Sequence, residues 1–230
     1  MGYSKRKELY QAHENIRRKP LITYVTSMRQ NVTSQMASDA MTTIIEQINQ
    51  IPQDKNEIDF LIISNGGDPI VALRIITILR ERFKHISVIV PYAAFSAATI
   101  LALGADEIVM HPYSNLGPVD PQLSFIKSNE FGHPEQLQFS SEDIRNYIDF
   151  IRTDVGITDQ AQLIVAFNSL ATDVGPIPIG LSKRSQQLSL SLSTKMLEAH
   201  LDDKSKAASI AKVLNTSFYH HGYAVGRKEA

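Results

Sequence analysis

The fold is decided by residues 61–69, which read LIISNGGDP, and by residues 86–99, which read ISVIVPYAAFSAAT. Both stretches begin with apolar, mostly β-branched residues, which is typical of strands buried on both faces. Each then passes through a turn into a helix, and a further apolar strand follows over Glu107–Met110. Alternating strands and helices in this order predict an α/β fold with a parallel sheet.

The elements before this stretch fit the same sheet. Residues 1–19 are charged and compatible with a helix, and predict an N-terminal helical arm that packs on a neighbour. Pro20–Val25 is rich in β-formers and predicts the first strand. Asp39–Ile51 carries apolar residues at helical spacing. Asp68 and Pro69 begin the next helix as N-cap and first helical residue. We therefore expect residues 20–123 to hold the core sheet.

The chain changes character after Leu123. Residues 124–230 predict a helical portion of the same single domain, which spans residues 1–230. Within it, residues 125–138 predict an exposed loop, and Ser140–Asp143 predicts a helix cap. Residues 175–180, GPIPIG, predict a rigid link that leads into a long helix over Ser182–His200.

Composition excludes several classes of protein. Hydrophobic residues make up 43% and charged residues 20% of 230 residues, as in a soluble globular protein. A net charge of −1 gives no general attraction to nucleic acid. The chain has no cysteine, no apolar run of about 18 residues and no signal-peptide pattern. We expect a cytoplasmic protein without a membrane span, a cofactor or a metal site.

Ser96 is the candidate catalytic residue. A serine hydroxyl becomes a useful nucleophile when it is exposed on a sharp turn, close to a base and to donors for an oxyanion. Ser96 lies between the strand ending at Val90 and the following helix, where the amide of Ala97 is one expected donor. Gly66 and Gly67 follow the neighbouring strand and are expected to supply the second donor. The alternative is that Ser96 serves only as a helix N-cap.

Several motifs resemble one family. The turn Asn65–Gly67 resembles the glycine turn of the Clp protease and crotonase superfold. Residues 90–99 (VPYAAFSAAT), 102–110 (ALGADEIVM) and 116–123 (LGPVDPQL) resemble the serine dehydrogenase proteinases. These are Clp-fold serine peptidases related to signal-peptide peptidase A. The resemblance implies a Clp/crotonase-like superfold, a parallel sheet of ββα-type repeats flanked by helices.

The same resemblance implies function and partners. It implies hydrolysis of a peptide or protein substrate and assembly into a homo-oligomer, with the helices after Asp143 at the interfaces. Because the sequence has no phosphate-binding loop, unfolding of a substrate would need a separate unfoldase or adaptor. Family members usually continue past the position of Ala230, so we expect a truncated or naturally short chain.

The general base has several candidates. The Clp proteolytic subunit has a histidine in the segment corresponding to residues 118–121, where this chain has none. Signal-peptide peptidase A implies a lysine instead, and we favour Lys183, which is expected to begin a helix behind the rigid link. Asp120 either orients a base or caps a turn. The other candidates are Lys127, Lys195, His111, His220 and His221, and we interpret His111 as a surface residue.

Two further functions stay open at this stage. A crotonase-like enzyme would polarise a thioester carbonyl and would need Asp68 as its base, although Asp68 is also expected to cap a helix. A scaffold or regulatory homologue without hydrolytic activity is the other alternative. It is favoured by Ala97–Ala98, where the family usually has Gly-Gly, and by the missing base. A second departure from the family is Asn65, where its glycine turn is usually preceded by proline.

Overall fold

The computed structural model describes residues 2–29, 31–32, 34–128, 131–218 and 220–230. The helices are α1 Tyr3–Arg17, α2 Ala40–Gln50, α3 Pro69–Arg82, α4 Ala97–Leu103, α5 Ser141–Thr153, α6 Gln160–Val174, α7 Pro176–Glu198 and α8 Lys204–Thr216. The strands are β1 Leu21–Val25, β2 Glu57–Ile63, β3 His85–Val90, β4 Ala93–Ala94, β5 Glu107–Met110, β6 Asn115–Leu116, β7 Gln122–Ser128, β8 Pro134–Ser140 and β9 Val225–Gly226.

The central sheet has four parallel strands in the order β1-β2-β3-β5. This confirms the predicted parallel α/β sheet. The carboxyl ends of its strands meet at one edge, which is where ligands bind in open α/β sheets. The glycine turn after β2 and the serine turn after β3 leave the sheet at this same edge.

The core lies on one face of this sheet, to which alternate residues of the paired strands β2 and β3 point. Ile58, Phe60 and Ile62 of β2 are fully buried, as are Ile86 and Val88 of β3. Each such side chain contributes about 1.5–3 kcal/mol when it leaves water. Helix α3 packs against both α2 and α4. This packing fixes the positions of α3 and α4. It thereby also fixes the glycine turn and the serine turn from which these two helices start.

A polar row crosses the sheet near the amino ends of its strands. Asp59, Ser87 and Glu107 are register neighbours on β2, β3 and β5. Asp59 is fully buried and binds the Arg17 side chain at 2.9 and 3.2 Å and His13 Nε2 at 2.9 Å. Although α1 has no buried residue, these bonds hold its last turn on the sheet.

The chain forms two compact units. The first comprises residues 1–119 and 192–230 and contains the parallel sheet, and the second comprises residues 120–191. The expected organisation was one domain with a helical portion beginning at residue 124. The observed units instead divide at residues 119 and 120, and the chain returns to the first unit at residue 192.

The second unit contains a β-hairpin that the sequence did not predict. Strands β7 and β8 pair antiparallel from Gln122–Ser140 to Ser128–Pro134, so the expected loop over residues 125–138 is wrong. One face of the hairpin is apolar, and the Phe125 and Phe139 rings on it stack at 5.7 Å. The helical portion therefore begins with α5, whose capping box of Ser140 and Asp143 was expected from the sequence.

The predicted rigid link is also wrong, because residues 176–180 are the first turns of α7. Prolines are tolerated there, since the first amides of a helix have no partner within it. Gly175 separates α6 from α7 and has a φ of 93°.

Among the described helices, none is by itself long and apolar enough to cross a membrane. Helices α6 and α7 pass that test of length and composition only as a pair, with a bend of 93° between them.

Candidate active site

Ser96 occupies a strained turn at the carboxyl edge of the sheet. It stands directly before α4 with φ 53° and ψ −120°. Positive φ in a residue other than glycine costs about 1–3 kcal/mol and persists where the surroundings impose it. The flanking elements impose this positive φ on Ser96, because β4 holds the residues before it and α4 begins at Ala97.

The Ser96 hydroxyl is available for chemistry. The side chain does not cap α4, so the alternative of a simple N-cap is not what the structure has. Ser96 is half-buried, and within the described part of the chain its hydroxyl has no hydrogen-bond partner. The turn thus presents an oxygen that performs no structural task visible in these residues.

Gly66 lies against Ser96. A Cβ atom on Gly66 would stand 2.8 Å from Ser96 Cβ, 2.5 Å from Phe95 O and 2.9 Å from Ala97 N. Gly66 also has a φ of 96°, which other residues rarely adopt. The first glycine of the pair is therefore required by the close approach of the serine turn.

Gly67 lies against a different segment, the backbone of Met36. Its Cβ would stand 2.4 Å from Met36 O. Met36 N donates to Gly66 O at 2.7 Å, and Asp68 N donates to Met36 O at 2.9 Å. In such a parallel bridge the central residue, Gly67, directs its own N–H away from Met36. The serine turn therefore lies against Gly66, and the backbone of Met36 lies against Gly67.

The amides of the predicted oxyanion hole differ in availability. Gly66 N donates to Ser64 Oγ at 3.0 Å, which corrects the expectation that either glycine amide is free to act as a donor. Among the described residues, the amides of Gly67 and Ala97 have no acceptor. Within the described part of the chain, Gly67 and Ala97 are consequently the predicted donors whose amides stay available to a ligand.

Two buried hydroxyls hold the turns in place, and neither was singled out in the sequence. Ser64 follows β2, is fully buried, and binds β4 through its backbone at 3.0 Å on both sides. Thr99 Oγ1 lies 2.7 Å from Ala94 O and 2.9 Å from Gly117 O, and accepts from Gly117 N at 3.1 Å. The available signal was a hydroxyl residue inside an otherwise apolar run, as at Ser64.

Among the described residues of the first unit, no hydrogen bond joins a predicted lysine to Ser96. Lys195 belongs to that unit but is exposed on α7. Lys183 is exposed in the second unit, within α7 and not at its start, so the reason for favouring it is wrong. Lys127, on β7 of the same unit, is half-buried and lies 3.5 Å from Asp173 O.

The predicted acids and histidines have other surroundings. Asp120, nearly buried in the second unit, accepts from Gln122 Nε2 at 2.9 Å. Asp68 caps α3 by accepting from Ile70 N at 2.8 Å, which matches its expected structural role. His111 is exposed directly after β5, and His220 Nδ1 accepts from Gly222 N at 3.0 Å.

One carboxylate missed in the sequence links two predicted residues. Burial raises the pKa of Glu142, and the positive charge of Arg145 and a hydrogen bond from Gln186 only partly offset this effect. Asp120 raises and Lys183 lowers the same pKa through their charges. The charges of Asp120 and Lys183 therefore both act on Glu142.

Sequence comparison identifies relatives for the first half of the chain. The family described as ClpP-like SDH-type serine proteinase matches residues 13–131. Two uncharacterized proteins of Methanocaldococcus jannaschii are 42% and 38% identical over 80 residues. That match spans 35% of this chain but only 28% and 27% of those two proteins. The chain thus matches under a third of the length of these curated relatives.

Structural comparison finds a similar fold. A lysine-to-alanine mutant of the 1510-N membrane-bound stomatin-specific protease, in complex with a substrate peptide, matches with a TM-score of 0.52. It is 15% identical, and the match covers 91% of this chain and 69% of that one. A serine-to-alanine mutant of the same protease matches with a TM-score of 0.49 over 91% and 73% of the two chains. At this identity the likeness shows the fold alone.

Proposed function

The chain belongs to the ClpP-like SDH-type serine proteinase family, and on this premise we propose that it hydrolyses peptide bonds with Ser96 as the nucleophile. The observation that carries the proposal is the geometry of one turn. Ser96 has a strained backbone and lies against Gly66, and among the described residues neither its hydroxyl nor the amides of Gly67 and Ala97 have a hydrogen-bond partner. Backbone strain and oriented hydrogen-bond donors without an acceptor are features of catalytic sites.

The reaction follows from these groups. Ser96 Oγ forms a bond to the carbonyl carbon of the peptide while its proton passes to a base. The carbonyl oxygen becomes an oxyanion, which the amides of Gly67 and Ala97 stabilise. The C–N bond then breaks, and the amine leaves with the proton from the base. Water hydrolyses the resulting ester in the same way, releasing the acid and restoring the serine.

For the base we rank Lys127 before Lys183 and Lys195. A lysine is the base that the resemblance to signal-peptide peptidase A implies. Of these three lysines, Lys127 is half-buried and the others are exposed, and Lys127 alone lies within residues 13–131. Asp120 remains the proposed orienting carboxylate. Replacing each lysine by methionine tests the ranking: the base variant loses turnover and the other two keep it.

The test of the nucleophile is covalent labelling with a fluorophosphonate. Wild type should incorporate one equivalent on Ser96, identified by peptide mass spectrometry, and Ser96→Ala should incorporate none. Ser217→Ala is the matched control, because Ser217 is an exposed serine of the same unit. An unlabelled wild type, or equal labelling of Ser96→Ala, contradicts the proposal.

One observation favours a second candidate, a homologue that binds peptides without cleaving them. No described residue accepts or donates a hydrogen bond at the Ser96 hydroxyl, so no base is in place there. This candidate predicts that Ser96→Ala retains full function in cells and that wild type resists the fluorophosphonate.

We further propose that the protein assembles into a homo-oligomer. Large apolar side chains stand in solvent on the helices of the second unit, including Phe150, Val165 and Ile177. Such surface is normally covered by a partner. Light scattering after size exclusion should give a mass that is a multiple of 25.6 kDa, and a monomer at all concentrations contradicts this. A separate unfoldase or adaptor remains the expected partner for folded substrates.

A further inference from the structure

Ser64 connects the two turns of the candidate site. It lies immediately after β2 and three residues before the end of the Asn-Gly-Gly turn at Gly67. Its N–H donates to Ala93 O and its carbonyl accepts from Phe95 N, both at 3.0 Å. The backbone of this one residue thus ties the glycine turn to the short segment, Ala93–Phe95, that leads into Ser96.

The Ser64 hydroxyl has a separate task. It accepts from Gly66 N at 3.0 Å and lies 2.9 Å from Thr26 Oγ1. Ser64 is fully buried and Thr26 is 8% exposed. A buried hydroxyl stabilises a protein only when it is hydrogen-bonded, and an alanine would fill the same space without that requirement. The hydroxyl is therefore best explained by the bond that it forms with Gly66.

That bond restricts the residues of the site that have the most conformational freedom to lose. Two adjacent glycines lose more conformational freedom on ordering than any other pair of residues. Three contacts constrain this pair. Ser64 Oγ accepts a hydrogen bond from Gly66 N, Met36 N donates one to Gly66 O, and Ser96 lies against the Cα of Gly66. Gly67 N–H is left as the amide that faces away from Met36.

We propose that Ser64, supported by Thr26, is a positioning residue that fixes the diglycine so that Gly67, and not Gly66, supplies the oxyanion donor. This inference rests on the proposed function. An oxyanion hole accelerates a reaction because its donors are already oriented before charge develops. Loss of the Ser64 hydroxyl leaves the Gly66 amide without its acceptor and allows the turn to adopt other conformations.

The experiment compares buried hydroxyls at opposite ends of one sheet. Ser64→Ala removes the hydroxyl beside the site, and Ser87→Ala removes an equally buried one that binds Glu107 and Lys19. Thr26→Val removes the supporting hydroxyl, whereas Thr26→Ser keeps it. The measurements are the second-order rate of fluorophosphonate labelling at Ser96, the thermal unfolding midpoint, and the hydrogen exchange of the Gly66 amide.

We expect Ser64→Ala to slow labelling about ten- to a hundredfold, less than the loss of an oxyanion donor itself, because Gly67 remains and only its orientation is released. Thr26→Val should slow it less, and Thr26→Ser and Ser87→Ala should label at the wild-type rate although Ser87→Ala lowers the unfolding midpoint. Gly66 should exchange faster in Ser64→Ala only.

Two results overturn the inference while the proposed function stands: labelling of Ser64→Ala at the wild-type rate, or equal slowing by Ser87→Ala. A wild type that is not labelled at Ser96 instead contradicts the proposed function, and the inference falls with it.

Discussion

The two ends of the parallel sheet use polar groups in opposite ways. At the amino end, Asp59 and Glu107 are bonded to Arg17, and Ser87 and Lys19 complete the row. At the carboxyl end, Ser96 is strained, and no residue that the structure describes binds its hydroxyl or accepts from the amides of Gly67 and Ala97. We therefore expect the amino end to contribute stability, and we propose that the carboxyl end keeps its donors for a ligand.

The largest expected effect comes from disturbing the carboxyl end. In Gly66→Ala the new methyl group meets Phe95 O at 2.5 Å and Ser96 Cβ at 2.8 Å. We expect labelling at Ser96 to fall about a hundredfold and the free energy of unfolding to fall by about 1–3 kcal/mol. Gly180→Ala, a helical glycine with open space around its Cα, is the control and should not lower either quantity. Normal labelling of Gly66→Ala contradicts the described contact.

Disturbing the amino end should affect stability alone. Asp59→Asn leaves Arg17 and His13 without their buried carboxylate. Because Arg17 is 27% exposed and keeps Glu107 as a partner, we expect a loss of about 2–3 kcal/mol, at or below the lower end of the range for a broken buried pair. Chemical denaturation measures this loss, and Asp54→Asn, at an exposed position, is the control. If Asp59→Asn also slows labelling at Ser96, the two ends are not independent.

The smallest effect concerns pH. Hydrogen bonds from Arg17 and Ser87 lower the pKa of Glu107, against the opposing effect of burial. A carboxylate whose pKa is lower in the folded state adds stability above its unfolded pKa of about 4.3. That stability is lost as pH falls through the folded pKa. Because Glu107 is 43% exposed, we expect only a few tenths of a kcal/mol.

Denaturation of wild type and Glu107→Gln between about pH 6 and pH 3 measures this difference. Wild type should be the more stable protein at the upper end, and the two curves should converge at the lower end. Parallel curves would show that Glu107 does not contribute in this way.

The sheet was predictable because its signal is local. The strands around Phe60 and Val88 are short apolar runs. The N-cap Asp68 and the following Pro69 predict the start of α3. The hairpin of residues 122–140 was missed because its outward face carries Ser124, Gln136 and Gln138, which also suit a loop. The start of α7 was missed because proline and glycine usually mark a link, and the first helical turn is the exception.

The site was predictable only in part, for a physical reason. Ser96 and the diglycine follow strand ends, so their place at one edge follows from the topology. Which glycine amide stays available depends on the direction of the Ser64 hydroxyl. Side-chain packing sets that direction, and the periodicity of strands and helices does not predict it. Lys183 was favoured from an incorrect helix boundary, which shows how strongly such an assignment depends on a few residues.

The most direct measurement is a crystal structure of the fluorophosphonate adduct. The account predicts phosphorus bonded to Ser96 Oγ, with a phosphoryl oxygen about 2.7–3.1 Å from the amide nitrogens of both Gly67 and Ala97. The Gly66 amide should remain bonded to Ser64. An adduct on another residue, or a phosphoryl oxygen directed away from these two amides, would contradict the proposal that this turn is the catalytic centre.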